Sequence, residues 1–210
     1  LLYLPVFTVK LIRRGGFRRH FGERFGLYGA GQKAALRGLD RPVWIHAVSV
    51  GEAVAAVGFI RRWQQRDPAL GFVLSTTTTT GHAIAERKLP AGVPLIYCPV
   101  DLPCAVWRAL RRVRPRMLVL FEVEFWPNLI TQASRRGVPV VLVNGRMSDR
   151  SARGYARHGW FFRGLFSRLR LFCVQSPDDV ERVRRVVGGA VPVFSCNTMK
   201  FDQTPDATAR

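Results

Sequence analysis

Residues 44–52, Trp-Ile-His-Ala-Val-Ser-Val-Gly-Glu, form an apolar run that ends in a glycine and a single carboxylate, Glu52. Such a run is typical of a strand that is buried in a parallel sheet. A buried strand, a tight turn and an acid at its tip are a common way to present a catalytic base in an α/β enzyme. The stretch therefore predicts a parallel sheet with a functional carboxylate at the end of one strand.

The rest of the chain repeats this plan, because short β-rich runs alternate with helical patterns. The predicted strands are Val43–Val50, Gly71–Thr76, Pro94–Cys98, Met117–Phe121, Val138–Val143, Leu171–Val174 and Val191–Phe194. The predicted helices are Ala53–Gln65, His82–Lys88, Pro103–Val113, Trp126–Arg136, Ser151–Arg168 and Pro177–Val187. This alternation predicts an α/β fold with a doubly wound parallel sheet and right-handed crossovers.

A polar cluster follows each predicted strand. The clusters begin at Gly51, Thr76, Pro99, Glu122, Asn144, Gln175 and Asn197. In an open parallel sheet these positions share the edge that is formed by the carboxyl ends of the strands, where ligands bind. We therefore expect a functional crevice along this edge.

Five consecutive threonines, residues 76–80, precede Gly81 and His82. A helix start with free N–H groups and nearby hydroxyls binds phosphate or carboxylate well. The loop lacks the lysine of a P-loop, which argues against a nucleotide triphosphatase. Helix capping explains one threonine, so we expect the others, with Thr79 and Gly81, to contact an anion or a sugar.

Two further clusters carry charged side chains with more than one interpretation. Glu122 and Glu124 would face the same way in an extended segment, where they could share a proton, position neighbouring cations or neutralise a surface arginine. Arg146 could bind a phosphate in bidentate fashion, or its loop could serve only to place Ser148 or Asp149 as a helix cap.

The histidines, cysteines and aromatic residues give no sign of a metal site. His46 is expected in the core, and the four cysteines show neither a CxxC pair nor a disulfide framework, which favours a reducing compartment. A helical face of four aromatic residues is expected to be packed in the core. It comprises Trp160, Phe161, Phe162 and Phe166.

The charge of the chain favours anionic partners. Thirty-three basic residues against fourteen acidic ones give a net charge of +19, although a genome rich in arginine codons is an equally good explanation. Leu1–Ile12 is apolar and is followed by a cationic cluster, so residues 1–25 are expected to lie in a membrane interface, the alternative being a core helix with a solvated basic end. The cluster comprises Arg13, Arg14, Arg18, Arg19, His20 and Arg24. The aromatic residues do not interleave with arginine as in a stacking platform, and no nucleic-acid partner is expected.

Together the motifs resemble the N-terminal domain of the bacterial 3-deoxy-D-manno-octulosonic acid (Kdo) transferases, glycosyltransferase family 30. The resemblance covers nearly all of residues 10–202. Its motifs are Phe21–Gly26, Trp44–Glu52, Thr76–Gly81, Pro99–Pro103, Glu122–Leu129, Asn144–Ser151 with Gly154-Tyr155, and Lys200-Phe201-Asp202.

The resemblance implies a Rossmann-like N-terminal half of a GT-B glycosyltransferase, with residues 26–202 as the acceptor domain. Residues 203–210 would begin a linker to a donor domain that this sequence does not contain. The donor substrate would be CMP-Kdo and the acceptor a lipid A precursor (lipid IVA) at the cytoplasmic face of the inner membrane. No cofactor or metal is expected. The segment Ser195–Met199 departs from the family pattern that precedes Lys-Phe-Asp.

The resemblance also implies roles for individual residues. Glu52 would be the general base of an inverting transfer, and Glu122 and Lys200 would stabilise the transition state. The expected substrate-binding residues are Ser49, Gly51, Thr79, Gly81, Glu124, Asn128 and Arg146. The alternative is a non-catalytic module that binds an anionic lipid or a sugar phosphate in the same crevice.

Overall fold

The computed structural model describes residues 20–122 and 126–197. Seven strands form one sheet: β1 (Val43–Ala47), β2 (Phe72–Thr76), β3 (Leu95–Tyr97), β4 (Met117–Phe121), β5 (Val140–Gly145), β6 (Leu171–Val174) and β7 (Val193–Ser195). Every pairing is parallel and the strand order is β3-β2-β1-β4-β5-β6-β7. The predicted α/β class and the parallel sheet are confirmed.

Eight α-helices and one 3₁₀ helix cover the two faces of the sheet in the described residues. The 3₁₀ helix is Phe21–Phe25. The α-helices are α1 (Ala30–Arg37), α2 (Val50–Arg66), α3 (Thr79–Lys88), α4 (Pro103–Val113), α5 (Pro127–Arg135), α6 (Asp149–Arg157), α7 (Gly159–Phe166) and α8 (Pro177–Val187). Both faces of the sheet are therefore covered, as the apolar strands require.

The core has two layers, one on each side of the sheet. Helices α2 and α3 pack on one face through residues such as Ala56, Ile60 and Ala85. Helices α1, α4, α5, α7 and α8 pack on the other face around residues such as Trp44 and Leu118. Strands β1 to β6 contribute side chains to both layers in alternation, which is why they read as nearly continuous apolar runs.

Most predicted bounds shift by one to three residues, and two predicted elements show why. The strand expected over Val43–Val50 ends at Ala47, because Ser49 caps α2 and the helix begins at Val50. The helix expected over Ser151–Arg168 is two helices, because His158 leaves the helical region with φ −106° and ψ 36° and Gly159 follows it. The sequence prediction also missed the 3₁₀ helix and α1.

The aromatic face of α7 is only partly in the core. Phe166 is buried and Phe162 packs against the core. The expectation is wrong for Trp160 and Phe161, which are 84% and 39% exposed. Helix α7 has only eight residues, and its buried side is already filled by Leu165 and Phe166.

Most of the expected membrane-interface segment, residues 1–19, lies outside the described residues. Its last part, Phe21–Phe25, packs as a 3₁₀ helix against the domain, and Arg24 is 2% exposed. Arg24 was counted with the cationic cluster, and that was wrong, since a buried guanidinium cannot meet a lipid headgroup. Among the residues that the structure describes, none of the helices combines the length and the apolar character that a membrane span needs.

Candidate functional site

The strand order reverses between β1 and β4, and this position defines the candidate site. From β1 the chain proceeds through β2 to β3 in one direction, and from β4 to β7 in the other. In open parallel sheets, ligands bind outside the carboxyl ends of the strands where the order reverses. Glu52 lies in the first turn of α2, which follows β1, and Glu122 lies in the loop after β4, so these two residues flank the reversal.

Glu52 is buried and fixed by a capping box at the start of α2. Its Oε2 accepts a hydrogen bond from the backbone N–H of Val48 at 2.8 Å, and its Oε1 accepts one from Ser49 at 3.1 Å. The hydroxyl of Ser49 accepts in turn from the N–H of Glu52 at 3.2 Å. The carboxylate is therefore held in one orientation by groups of its own loop.

Gly51 and Thr79 lie at the starts of α2 and α3. Gly51 is exposed, and a Cβ there would meet nothing closer than the Ser49 hydroxyl at 4.0 Å. Thr79 is half-buried in the first turn of α3. Both positions leave space beside the Glu52 loop for a bound molecule.

Gly81 joins the two loops by allowing a close approach of α3. A Cβ at Gly81 would lie 2.8 Å from Oγ1 of Thr78 and 3.4 Å from the carbonyl oxygen of Ser49. That hydroxyl accepts from the N–H of Gly81 at 3.1 Å and donates to the carbonyl of Val48, also at 3.1 Å. The structure thus gives Gly81 a packing role.

The threonine loop points largely inward. The Thr76 hydroxyl lies 2.9 Å from Nδ1 of His82, Thr77 is buried, and Thr78 caps α3. Capping and internal hydrogen bonds therefore use more of these threonines than the sequence interpretation allowed. Thr78 and Thr79 are half-buried and Thr80 is exposed.

A buried polar cluster lies behind this loop and was absent from the sequence-based site. Nη2 of Arg24 donates to the carbonyl of Thr77 at 2.9 Å, and its Cζ lies 4.3 Å above the ring of Tyr97. His82 stacks on the same ring at 4.0 Å with an interplanar angle of 4°. Two groups this close cannot share one face, so Tyr97 lies between Arg24 and His82.

Burial governs the ionisation of this cluster. Desolvation lowers the pKa of His82 to about 4, although the charge of Glu23 opposes the shift. Desolvation also lowers the pKa of Arg24, against the charges of Tyr97, Cys98 and Glu23. Glu23 accepts from the N–H of Tyr97 at 3.1 Å and pairs with His20. The 3₁₀ helix is therefore anchored to β3 by two side chains.

A path of hydrogen bonds runs from this cluster to Glu52. Arg24 donates a hydrogen bond to the carbonyl of Thr77. The hydroxyl of the next residue, Thr78, donates to the carbonyl of Val48. The N–H of Val48 donates in turn to the Glu52 carboxylate. Arg24 is 53 residues from Thr77 in sequence. The position of the Glu52 loop thus depends on a residue from the N-terminal part of the domain.

On the β4 side, Glu122 adopts a left-handed backbone conformation with φ 56°. The extended geometry expected for residues 122–124 is therefore wrong at its first residue. Its N–H donates to the carbonyl of Val143 at 3.0 Å, which fixes the loop to β5. Glu124 lies outside the described residues, as does Lys200.

Asn128 is held by Asp101, which lies in the cluster after β3. The Asp101 carboxylate accepts from the N–H groups of Asn128 and Leu129 at 3.0 and 2.9 Å, and the Asn128 amide donates to the carbonyl of Asp101 at 2.6 Å. Desolvation raises the pKa of Asp101, while these hydrogen bonds lower it. Asp101 thereby caps α5, whose own N-cap residue, Trp126, provides no side-chain cap.

Arg146 is exposed on the loop after β5. Asn144 has φ 54°, and the N–H of Met147 donates to the buried carboxylate of Asp179 at 2.8 Å, so the loop is fixed on both sides of Arg146. Ser148 caps α6 by accepting from Ser151. The capping alternative is therefore confirmed for Ser148, and the guanidinium of Arg146 is left facing solvent.

His46 lies in the core as expected. It is 1% exposed, its Nδ1 lies 3.0 Å from the Ser75 hydroxyl, and its ring meets Trp126 edge-on. Within residues 20–122 and 126–197, the acids, histidines and cysteines form no group of three that could hold a metal ion.

The fold and this edge define an α/β domain with a ligand crevice at the reversal of strand order. Residues 19–203 match the family model described as 3-deoxy-D-manno-octulosonic-acid transferase (kdotransferase). The chain therefore belongs to this family.

Relatives in other organisms share extended similarity with the chain. It is 34% identical over 175 residues to the 3-deoxy-D-manno-octulosonic acid transferase of Haemophilus influenzae, covering 83% of this chain and 39% of the relative. It is 37% identical over 206 residues to the enzyme of the same name from Bordetella pertussis, covering 94% and 46%. The chain thus spans less than half the length of these relatives.

Sequence reasoning missed Arg24, Tyr97, Asp101 and His82 as parts of the site. Phe21–Gly26 and Pro99–Pro103 were recognised as family motifs, so the position of Arg24 and Asp101 in them was the only available signal. Arg24 contacts Thr77, and Asp101 contacts Leu129. Both partners are distant in sequence, so no local pattern predicts these contacts.

Proposed function

We propose that the chain is the acceptor-side domain of an inverting glycosyltransferase that moves Kdo from CMP-Kdo to a lipid A precursor, lipid IVA, in lipopolysaccharide biosynthesis. The observation that carries the proposal is the fixed carboxylate of Glu52 beside the reversal of strand order, in a chain of the kdotransferase family. The acceptor lipid would be reached at the cytoplasmic face of the inner membrane.

In this reaction Glu52 is the general base. A hydroxyl of the lipid loses its proton to the Glu52 carboxylate, and its oxygen forms a bond to the anomeric carbon of Kdo. The bond from that carbon to the CMP phosphate breaks, and the electron pair leaves with the phosphate. Attack from the opposite side inverts the anomeric configuration. The capping box supports this role because it leaves Glu52 no freedom to turn away.

Other residues stabilise the charge that develops in the reaction or bind the substrate. Glu122 and Lys200 stabilise the transition state, Lys200 by balancing the charge on the departing phosphate. Arg146 is exposed and suited to a phosphate of the lipid. Ser49, Gly51, Thr79, Gly81, Glu124 and Asn128 line or shape the acceptor side. CMP-Kdo is bound by a second domain, and no cofactor is required.

The test measures transfer of labelled Kdo from CMP-Kdo to lipid IVA. It uses this chain, alone and joined to the remaining part of the Bordetella pertussis relative, each with native Glu52 and with Glu52→Gln. We expect the joined protein to transfer Kdo, and Glu52→Gln to reduce the rate at least a thousandfold while lipid binding persists.

A matched control separates chemistry from helix capping. Ser148→Ala removes the N-terminal cap of α6, away from the Glu52 carboxylate, and should cost about 1 kcal/mol of stability. If Ser148→Ala and Glu52→Gln lower transfer equally, Glu52 is only a cap. If the joined protein binds the lipid but never transfers Kdo, the non-catalytic binding module is the better description.

A further inference from the structure

Helices α6 and α7 form an exposed surface whose composition the transfer site does not explain. We define the α6–α7 surface as Arg150, Arg153, Arg157, Trp160, Phe161 and Arg163, all of them exposed. Trp160 is 84% exposed, more than the other large apolar side chains of the described residues. Its ring contacts that of Phe161, and exposed apolar patches that are rimmed by polar residues mark protein or membrane interaction sites.

The charge of this region has one sign. Residues 149–170 include six arginines and one acid, Asp149. That acid is already bound, since its carboxylate accepts from Nε of Arg182 at 2.7 Å. Within the described part of the chain, the arginines of the α6–α7 surface form no ion pair. Four guanidinium groups therefore remain available to an external anion.

The cations and the aromatic rings lie on two consecutive helices. Arg153 and Arg157 are four residues apart on α6 and lie on one side of the helix. Trp160 follows in the first turn of α7 and contacts Phe161 edge-on at 5.8 Å. A Cβ at Gly164, one helical turn after Trp160, would meet nothing within 4 Å.

We propose that the α6–α7 surface docks on an anionic phospholipid bilayer, with the rings of Trp160 and Phe161 in the interface and the arginines on lipid phosphates. Tryptophan is enriched at the level of the headgroups, and arginines near an anionic surface add to the attraction. A second copy of the chain is a poorer occupant, because a symmetric contact would bring arginines against arginines. The inference deepens the proposed function by naming the face that the domain turns to the membrane.

The test measures binding of the full chain to vesicles of phosphatidylcholine with and without 30 mole per cent phosphatidylglycerol, roughly the charge of an anionic bilayer. Arg153→Gln with Arg157→Gln should weaken binding to the anionic vesicles about twenty-five-fold, at about fivefold for each arginine. Trp160→Ala should weaken it about tenfold in the same assay. Both effects are measured by vesicle binding without any transfer reaction. A failure of this proposal can therefore be distinguished from a failure of the proposed function.

Matched controls carry the same changes elsewhere. Arg66→Gln with Arg87→Gln removes two exposed arginines from α2 and α3, on the opposite face of the sheet, and Trp107→Ala removes a tryptophan that Arg111 covers on α4. These variants should bind within about twofold of the unchanged chain. Equal losses in the controls, or none in the α6–α7 variants while circular dichroism shows them folded, would overturn the proposal. It would also fail if Trp160→Ala abolished self-association and left vesicle binding intact.

Discussion

The loops after β1 and β2 and the helix pair α6–α7 use polar residues in opposite ways. In the loops, the side chains of Glu52 and Thr78 are bound to backbone groups, and Arg24 donates to the carbonyl of Thr77 from 53 residues away. On α6 and α7, four arginines remain in solvent beside an exposed indole. In the first region the polar groups fix the position of a carboxylate, whereas in the second they are available to bind an external anion. We expect substitutions to change stability in the first region and surface binding in the second.

The largest expected effect on stability is that of Arg24→Ala. It removes a buried side chain, leaves a cavity beside Tyr97 and deprives the Thr77 carbonyl of its donor. The free energy of unfolding should fall by about 3–4 kcal/mol, measured by urea denaturation. Arg37→Ala, at an exposed arginine of α1, should change it by less than about 0.5 kcal/mol. Similar losses in the two variants would break the contrast between buried and exposed arginines.

Acid should destabilise the buried region through His46. Burial lowers the pKa of His46 from its ordinary 6.5 to about 4. Between these two pH values the histidine is protonated in the unfolded chain and neutral in the folded chain. The stabilisation is complete above pH 6.5 and is lost as the pH falls toward 4, by about 3 kcal/mol in total.

The measurement is the free energy of unfolding between pH 7 and pH 4 for the chain and for His46→Asn. The variant should lose about 3 kcal/mol less over this range. His158→Asn, at an exposed histidine between α6 and α7, is the matched substitution measured beside it. A His46→Asn profile parallel to that of the unchanged chain would contradict the assignment.

The smallest effect compares two glycines that differ only in their surroundings. Gly81→Ala places a Cβ 2.8 Å from Oγ1 of Thr78 and should destabilise the chain by about 2 kcal/mol. Gly154→Ala, in α6, meets nothing within 4 Å and should stabilise it by about 0.5–1 kcal/mol. Thermal unfolding of the two variants would show opposite shifts. Shifts of the same sign would mean that the Thr78 contact does not constrain α3.

Local patterns predicted the elements well where one signal dominated. Met117–Phe121 and Leu171–Val174 were predicted with their observed bounds, because a continuous apolar run between polar residues has few other interpretations. Val43–Val50 was predicted too long, since Val48 and Val50 are as apolar as the strand. The hydrogen bond between Ser49 and the Glu52 N–H decided the start of the helix.

The candidate site was predicted in part. Alternation of strands and helices was enough to place seven polar clusters on one edge of the sheet, because parallel strands end on the same side. It did not predict that Gly81 serves packing or that Asp101 holds Asn128. Those contacts join segments that are not related by the periodicity of a helix or a strand, so the sequence pattern does not indicate them.

The sequence alone determined the fold class, the family motifs and the excess of positive charge, because each depends on residue types in local order. Only the tertiary structure decided which of the charged and aromatic groups are buried. Arg24 and Trp160 each looked ordinary in its local pattern, yet one is enclosed beside Tyr97 and the other stands in solvent. Burial depends on which distant segments pack together, and that is decided by the whole sheet and its helices rather than by any stretch of residues.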